Sequence, residues 1–316
     1  MKILFTSVGR RVELMQAFRN AAEQLHIDLE IIGADISHTA PALFFCDRTE
    51  IVPRISQPEY IPTLLQLCKD NHIDALIPTI DTDLLLLSKH TSDFESIGTK
   101  VFISRTESVA LCRDKNLTSD FFVSCGLSAP KTYHDYRQYD GGFPCFIKPK
   151  DGSSSIDAYK INNSEELAEF AHRVGDYVIQ PFVDGEEYTV DIFCDFDSRP
   201  VFITPRIRLA VRAGEVLKSQ IAEDETIIEE CQQLIEKFKP VGAITVQLIK
   251  DKTTNINQYI EINPRFGGGA PLSIMAGADS AKATLRLLNG EKLCYQKNAA
   301  ENGAVFSRFD QTVRVQ

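Results

Sequence analysis

Gln247, Glu261, Asn263 and Arg265 have the types and spacing for phosphoryl chemistry. Gln247 lies in the run GAITVQLIKD, and the other three lie in NQYIEINPRF, so the two runs predict a hairpin. Alternate residues of a strand face one side, so Glu261, Asn263 and Arg265 project together if the strand holds through that segment. Gln247 then sits across from them on the neighbouring strand. An oxygen-rich cluster with one firm carboxylate suits Mg²⁺, which takes few protein ligands and completes its shell with phosphate oxygens and water. Arg265 beside it can hold a γ-phosphate or an acyl phosphate as charge develops. The plainer alternative is an exposed strand with its polar residues outward.

Three further segments carry suitable groups. In FIKPKDGSSS, Lys148 follows apolar strand residues and so points from a rigid sheet. Gly152, Ser153, Ser154 and Ser155 after it are small enough for backbone amides to approach an anion closely. The loop is not a Walker A motif, because it lacks GK[ST] and has no helix directly behind it, and a solvated turn is its alternative. Lys115 in CRDKNLT, taken alone, reads as a solvated helix residue. In VIQPFVDGEEYTVD, a strand enters a bent segment that can offer backbone groups to an adenine ring, with Glu187 placed to accept from ribose hydroxyls.

On the substrate side, Arg206, Arg208, Arg212 and Lys218 cluster between strands expected to line a cleft. Arg206 and Arg208 share a face and could clamp a carboxylate, or they are surface arginines. Gly267, Gly268 and Gly269 precede a helix start and could supply amides to a carboxylate. Gly9 and Arg10 follow the first strand, where α/β sheets commonly bind ligands. Asp81 and Asp83 lie at the end of the third strand and could bind an amine, unless Asp81 is a helix N-cap.

The elements that position these groups follow from hydrophobic periodicity. KILFTSV, LEIIGADI, DALIPTI and KVFIS read as strands, alternating with the helical patterns VELMQAFRNAAEQL, YIPTLLQLCKDNHI and DTDLLLLSKHTSDF. That alternation predicts a parallel α/β sheet over residues 1–105, a Rossmann-like domain. From residue 106 the pattern is a helix, TESVALCRDKNLTSDFFVSCG, then strands FPCFIKPK and AYKI, the helix SEELAEFAHRV and the strand DYVIQPFV. Residues 183–316 are richer in strands: EEYTVDIFCDF, PVFITPRIRLAV, VLKSQIA, the hairpin above and a β-like tail, GAVFSRFDQTVRV. Two helical segments interrupt them, DETIIEECQQLIEKFKP and the one following GGGAP, whose Pro271 suits a helix start.

Composition excludes several classes. The 316 residues are 43% hydrophobic and 25% charged, ordinary globular values. No apolar run reaches the roughly 18–20 residues needed to cross a bilayer, and the start lacks a signal-peptide pattern, so a cytoplasmic location is expected. The net charge of −10 argues against a nucleic-acid-binding surface. The eight cysteines form no C-x-x-C pair and read as reduced thiols, and the histidines show no zinc-ligand spacing.

The ordered series of Lys115, Lys148 with its small-residue loop, QPFVDGEE and VQLI…YIEINPRFGGG resembles the ATP-grasp superfamily. The nearest likeness is to the ATP-binding modules of the carbamoyl-phosphate synthetase large subunit and related carboxylate–amine ligases. The resemblance covers nearly the whole chain. It implies an α/β and α+β fold: a Rossmann-like domain over 1–105, a small lobe with a phosphate flap over 106–182, and a large lobe over 183–316. It also implies roles. Lys115 and Lys148 look like the cations on the ATP phosphates, with Gly152, Ser153, Ser154 and Ser155 as the flap. Gln180 stands where a glutamate usually receives the adenine amino group. Phe182 and Val183 fall at the hinge beneath adenine, and Glu187 matches the ribose-binding glutamate. Gln247, Glu261 and Asn263 match the ligands of Mg²⁺, or of Mn²⁺ in its place, although Gln247 replaces an acidic residue of many members. Arg265 resembles the arginine that steadies the acyl phosphate.

The implied reaction activates a small carboxylate as an acyl phosphate, couples it to an amine, and releases ADP and phosphate. Arg206, Arg208, Lys218, Gly268 and Gly269 are the expected substrate contacts, and a homodimer is the commonest assembly for such a soluble chain. Three other outcomes remain open in the sequence: a kinase that stops at the phosphorylated product, a nucleotide-sensing protein without turnover, and a dinucleotide-dependent oxidoreductase. The last would use Asp35 for ribose, but SVGRRVEL lacks G-x-G-x-x-G.

Overall fold

The computed structural model describes residues 1–150 and 157–315. The N-terminal part runs β1 (Lys2–Thr6), α1 (Val12–Leu25), β2 (Glu30–Asp35), β3 (Arg48–Ile51), α2 (Tyr60–Asn71), β4 (Ala75–Pro78), α3 (Asp81–Lys89), α4 (Thr91–Ser96) and β5 (Lys100–Val101). Its strands form one parallel sheet in the order β3-β2-β1-β4-β5. Alternation along β1 divides the core: Leu4 faces α2, α3 and α4, while Ile3 and Phe5 face α1. β3 is an edge strand with little burial, which is why it carries no hydrophobic signal. The pattern expected as one helix from residue 81 is two, because His90 leaves the helical region (φ −111°, ψ 12°). The expected strand KVFIS pairs only at Lys100 and Val101.

The middle part comprises α5 (Thr106–Arg113), α6 (Lys115–Ser124), β6 (Cys145–Pro149), β7 (Tyr159–Ile161), α7 (Ser164–Val174) and β8 (Tyr177–Pro181). The single helix expected here is also broken. Asp114 adopts an extended backbone, and its carboxylate accepts the amides of Asn116 (2.8 Å) and Leu117 (3.3 Å), which starts α6 afresh. The strands form a small antiparallel sheet, β7-β6-β8. Cys145, Ile147, Ile161 and Ile179 bury one of its faces against Leu167 and Ala171 of α7.

The last part comprises β9 (Gly185–Cys194), β10 (Pro200–Arg212), β11 (Glu215–Ile221), α8 (Glu225–Phe238), β12 (Gly242–Asp251), β13 (Asn257–Asn263), α9 (Ala270–Met275), α10 (Ser280–Leu288) and β14 (Val305–Ser307). Its strands make an antiparallel sheet, β13-β12-β9-β10-β11-β14. Val190, Ile192, Val246, Leu248 and Ile262 close one face against the apolar side of α8. The tail expected to be β-like is a strand only at Val305–Ser307. One core joins the two ends of the chain: Phe5, Met15 and Phe18 pack with Phe266, Ile274, Ala281 and Leu285. Phe18 meets Phe5 and Phe266 edge-on, at centroid distances of 4.9 and 5.9 Å.

Candidate active site

The polar face of the six-stranded sheet carries the candidate site, and its register explains why. Glu261 pairs with Gln247, Gln247 with Thr189, and Thr189 with Arg206, so these four form one row across β13, β12, β9 and β10. The next row is Asn263, Thr245, Asp191 and Thr204. Directly paired residues share a face, and their neighbours in sequence point into the α8 core instead. Burial of the apolar set therefore forces the polar set onto the opposite side.

Hydrogen bonds link the site into a line. Arg208 Nη1 donates to Gln247 Oε1 (2.5 Å), and Gln247 Nε2 donates to Glu261 Oε1 (2.6 Å). Asn263 Nδ2 donates to the same carboxylate oxygen (3.0 Å), and Arg265 Nη2 donates to Asn263 Oδ1 (3.3 Å). Arg265 then binds Asp81 through Nε (3.2 Å) and Nη2 (2.7 Å). Glu261, Asn263 and Gln247 converge as the sequence predicts, and Arg265 joins them by another route: β13 ends at Asn263, and a turn closed by the Arg265 amide on the Asn263 carbonyl (2.8 Å) carries it back. The amide nitrogens, however, face Glu261, and both amide oxygens are held by arginines. A half-turn of each amide exchanges its oxygen and nitrogen and brings a set of oxygen donors beside one carboxylate, the kind of ligand set Mg²⁺ takes. Among the described residues no group of three or more His, Cys, Asp or Glu side chains could hold a metal.

Lys148 reaches this line from the small sheet. On β6 it alternates with buried Cys145 and Ile147, so it leaves the face opposite α7. Burial lowers its ammonium to about 8, with Glu261 pulling it up and Lys115 pushing it down. The charges of Lys148, Glu261 and Lys115 thus feel one another across the cleft. Lys115, at the start of α6, reaches the Lys150 carbonyl (3.4 Å) rather than projecting into solvent as an isolated helix lysine would. Gln180 is buried opposite Phe146, and its Nε2 donates to Thr132 Oγ1 (3.0 Å), which turns its amide oxygen away from Thr132. Phe182 donates its amide to the Pro144 carbonyl (3.1 Å), and Lys160 Nζ lies 4.0 Å from its ring centroid. Val183 lies between β8 and β9, and Glu187 on β9 is paired with Arg208 (3.6 Å). Gly152, Ser153, Ser154 and Ser155 lie outside the described residues.

Several expectations on the substrate side need correction. Arg206 is no surface residue: it is 2% exposed and donates from Nε to Asp191 Oδ2 (2.8 Å). Arg208 does share its face, but its Nη1 is committed to Gln247 and its Nη2 to the Gly214 carbonyl (2.9 Å). Lys218 is exposed and does not line the cavity; it pairs with Ala210, where the register of β10 and β11 is irregular. Arg212 binds Asp310 (3.0 Å) at the surface. Arg10 also turns outward to Asp310 (3.6 Å), and Arg11, which the sequence reading passed over, enters the cleft. Asp81 is the first residue of α3 and makes no side-chain cap, since Arg265 takes its carboxylate. Asp83 is fully buried and accepts from Thr6 (3.0 Å), Ser7 (3.3 Å) and Tyr60 (3.1 Å), which does not suit a free amine contact. Asp35 accepts the amides of Gly9 (2.9 Å) and Ser37 (3.0 Å), so it braces the loop after β1.

The three consecutive glycines answer three separate demands for space. A Cβ on Gly267 would stand 2.7 Å from Thr245 Oγ1, one on Gly268 3.0 Å from Arg11 Nη1, and one on Gly269 2.5 Å from Arg206 Nη2. The sequence reading assigned Gly268 and Gly269 to a ligand; both line the cleft, and both also leave room for arginines.

The lysine pKa gives a direct test. The protonated amine is the form that can bind phosphate, and it persists below about pH 8. We expect kcat/KM for ATP to fall as pH rises through 8, with that limb shifted upward in the kcat profile, where bound phosphates favour the ammonium. Lys148→Arg should remove the limb, and an unchanged profile would refute the assignment.

A family model described as an ATP-grasp domain matches residues 112–269, and one described as a PylC-like N-terminal domain matches residues 3–102. The 3-methyl-D-ornithine–L-lysine ligase of Methanosarcina acetivorans is 25% identical over 82% of this chain and 67% of its own length. A D-alanine–D-alanine ligase of Fusobacterium nucleatum is 30% identical over 39% of this chain. The chain spans about half the length of the D-alanine ligases it matches. In fold it is similar to N5-carboxyaminoimidazole synthetase from Staphylococcus aureus complexed with ADP, at a TM-score of 0.74 and 16% identity over 93% of this chain and 78% of that one. It is also similar to a biotin carboxylase from Campylobacter jejuni, at a TM-score of 0.76 and 15% identity over 96% of this chain and 74% of that one.

Proposed function

Because the chain belongs to the ATP-grasp family, we propose that it is an ATP- and Mg²⁺-dependent ligase that activates a small carboxylate as an acyl phosphate and couples it to an amine. The observation that carries this reading is the line from Arg208 through Gln247, Glu261 and Asn263 to Arg265, with Lys148 coupled to its central carboxylate. The relatives named above as ligases support the same chemistry.

In this reading residues 106–182 are the small lobe and 183–316 the large lobe, with ATP between them. Gln180, Phe182 and Val183 line the adenine side, and Glu187 meets the ribose. Lys115 and Lys148 hold the phosphates, beneath a flap that includes Gly152, Ser153, Ser154 and Ser155. Glu261, with the amide oxygens of Asn263 and Gln247, would hold Mg²⁺, which neutralises phosphate charge when bound. Arg265 steadies the phosphoryl group in flight between ATP and the substrate carboxylate. Its two hydrogen bonds to Asp81 Oδ2 fix the guanidinium before substrate arrives, so little reorganisation is needed at the moment of transfer. The amine then attacks the acyl carbon, and phosphate leaves.

Among the described residues no helix is long and apolar enough to cross a membrane. All eight cysteines are free thiols, which supports a reducing cytoplasm as the compartment we propose. A homodimer is the assembly we propose, as in the biotin carboxylase domain dimer of Hydrogenobacter thermophilus 2-oxoglutarate carboxylase, whose fold is similar.

The test is product analysis with Mg-ATP and a panel of carboxylic acids and amines. We expect ADP and phosphate in step with amide formation. Release of AMP and pyrophosphate would sink the proposal, and a stable phosphorylated acid with no amide would convert it to a kinase.

A further inference from the structure

Next to the glutamate–amide line lies an open cavity of about 150 Å³. Four arginines line it, Arg11, Arg206, Arg208 and Arg265, against two carboxylates, Glu215 and Glu261. Arg208 and Arg265 belong to the hydrogen-bonded line. Arg11 and Arg206 do not, and phosphoryl transfer gives them no task. They arrive from different parts of the fold. Arg11 lies beyond β1, close to the β1–β4 crevice where the parallel strand order reverses, and Arg206 comes from the middle of the six-stranded sheet. Bare Gly268 and Gly269 give both guanidinium groups the space to meet on one wall.

Neither group is used up by the protein. Arg206 spends Nε on Asp191, while its Nη1 is buried with no hydrogen-bond partner. Buried donors without partners are rare, because each costs its full desolvation. Arg11 donates from Nη2 to the Thr79 carbonyl (3.1 Å), and among the described residues no carboxylate forms an ion pair with it. Burial and the neighbouring Arg265 press on its charge more than Glu215 and Asp81 support it.

The position separates Arg206 from the reacting carboxylate, with Arg11 beside Arg265 in the same cavity. Arg206 and Glu261 end the same row three strands apart, about 14 Å between their backbones at the usual spacing. An acid held for transfer beside Glu261 and Arg265 leaves the buried Nη1 of Arg206 to a second group. We propose that the acid carries a second anionic group, a carboxylate or a phosphate, which Arg11 and Arg206 hold. Arg11 is then a specificity-determining residue. This inference rests on the carboxylate-activating reading given above.

Hydroxylamine, which traps an acyl phosphate as a hydroxamate, tests it without knowledge of the natural amine. The probes are dicarboxylic and amino dicarboxylic acids of four to six carbons, each beside its monoamide, and phosphonocarboxylic acids of equal length. The wild type should favour the dianions over the monoamides, and the better of carboxylate and phosphonate identifies the second group. Arg11→Met should lower kcat/KM for the preferred dianion about 10–100 times more than for its monoamide, the loss of a charge-assisted bond. Arg11→Lys should fall between. Equal use of dianions and monoamides by the wild type, or equal losses for both in Arg11→Met, overturns the inference while leaving the ligase reading intact. Hydroxamate from no acid at all overturns that reading first. The wild-type preference decides the matter even if Arg11→Met does not fold.

Discussion

Glu261→Gln should lower the rate of ADP release by about 10²–10³-fold, the loss associated with removing one preorganised electrostatic partner of a developing charge. The substitution keeps the size and planarity of the side chain, and Gln247 and Asn263 still have an oxygen to donate to. It removes the only carboxylate in the set formed with Gln247 and Asn263. A hard cation would then face amide oxygens alone, and we expect the Mg²⁺ concentration for half-maximal rate to rise at least tenfold. Binding of the nucleotide should suffer less, because Lys115 and Lys148 remain. Titrating Mg²⁺ at fixed ATP, with circular dichroism to confirm folding, separates these effects. Half the wild-type rate with an unaltered Mg²⁺ requirement would remove Glu261 from the metal site. Asn263→Ala and Gln247→Ala should show the same trend, more weakly.

Asp191→Ala should be the most destabilising single change near the site. Asp191 Oδ2 accepts from Arg206 Nε (2.8 Å) and from Ser273 Oγ (2.7 Å), so it holds both a buried cation and the start of α9. The two charged side chains are 2% and 11% exposed, so water cannot replace the lost partner. Stranding a buried charge typically costs about 3–5 kcal/mol. For a chain of this size that corresponds to a fall in Tm of roughly 5–8 °C. Adding Arg206→Met to Asp191→Ala should restore much of the loss, since the stranded charge leaves with it. Thermal melts of the two single variants and the double variant measure the coupling. A Tm for Asp191→Ala within a degree or two of the wild type would show that Arg206 is not held this way.

The parallel sheet and the polar row were legible because burial imposes strict periods on strands. Alternation placed Glu261 and Asn263 on one side, and the register across β12, β9 and β10 kept that order, whereas Arg265 lies past the end of β13 and joins them from the bend that follows. Irregular backbone erased the signal elsewhere. Lys218 lies on β11 opposite Ala210, where the pairing is irregular, and no period in the sequence shows which side it takes. Arg10 and Arg11 are equivalent in a sequence string. The loop that chooses between them turns at Ser7 (φ 55°) and Gly9 (φ 47°), left-handed positions that follow no period. Asp114 carried a readable cap signal inside CRDKN, yet the apolar spacing on both sides reads through it as one helix. The Asp81–Arg265 pair joins residues 184 apart in the chain, which local patterns do not reveal.

The core that joins Phe5, Met15 and Phe18 to Phe266, Ala281 and Leu285 bears on how the molecule is made. A ribosome delivers the first sheet and α1 long before α9 and α10 leave the exit tunnel. Until then one flank of the nascent sheet stays uncovered and apolar, and is open to misassociation with other emerging chains. Emergence of α9 and α10, rather than of the first hundred residues, is therefore the moment at which this core can close.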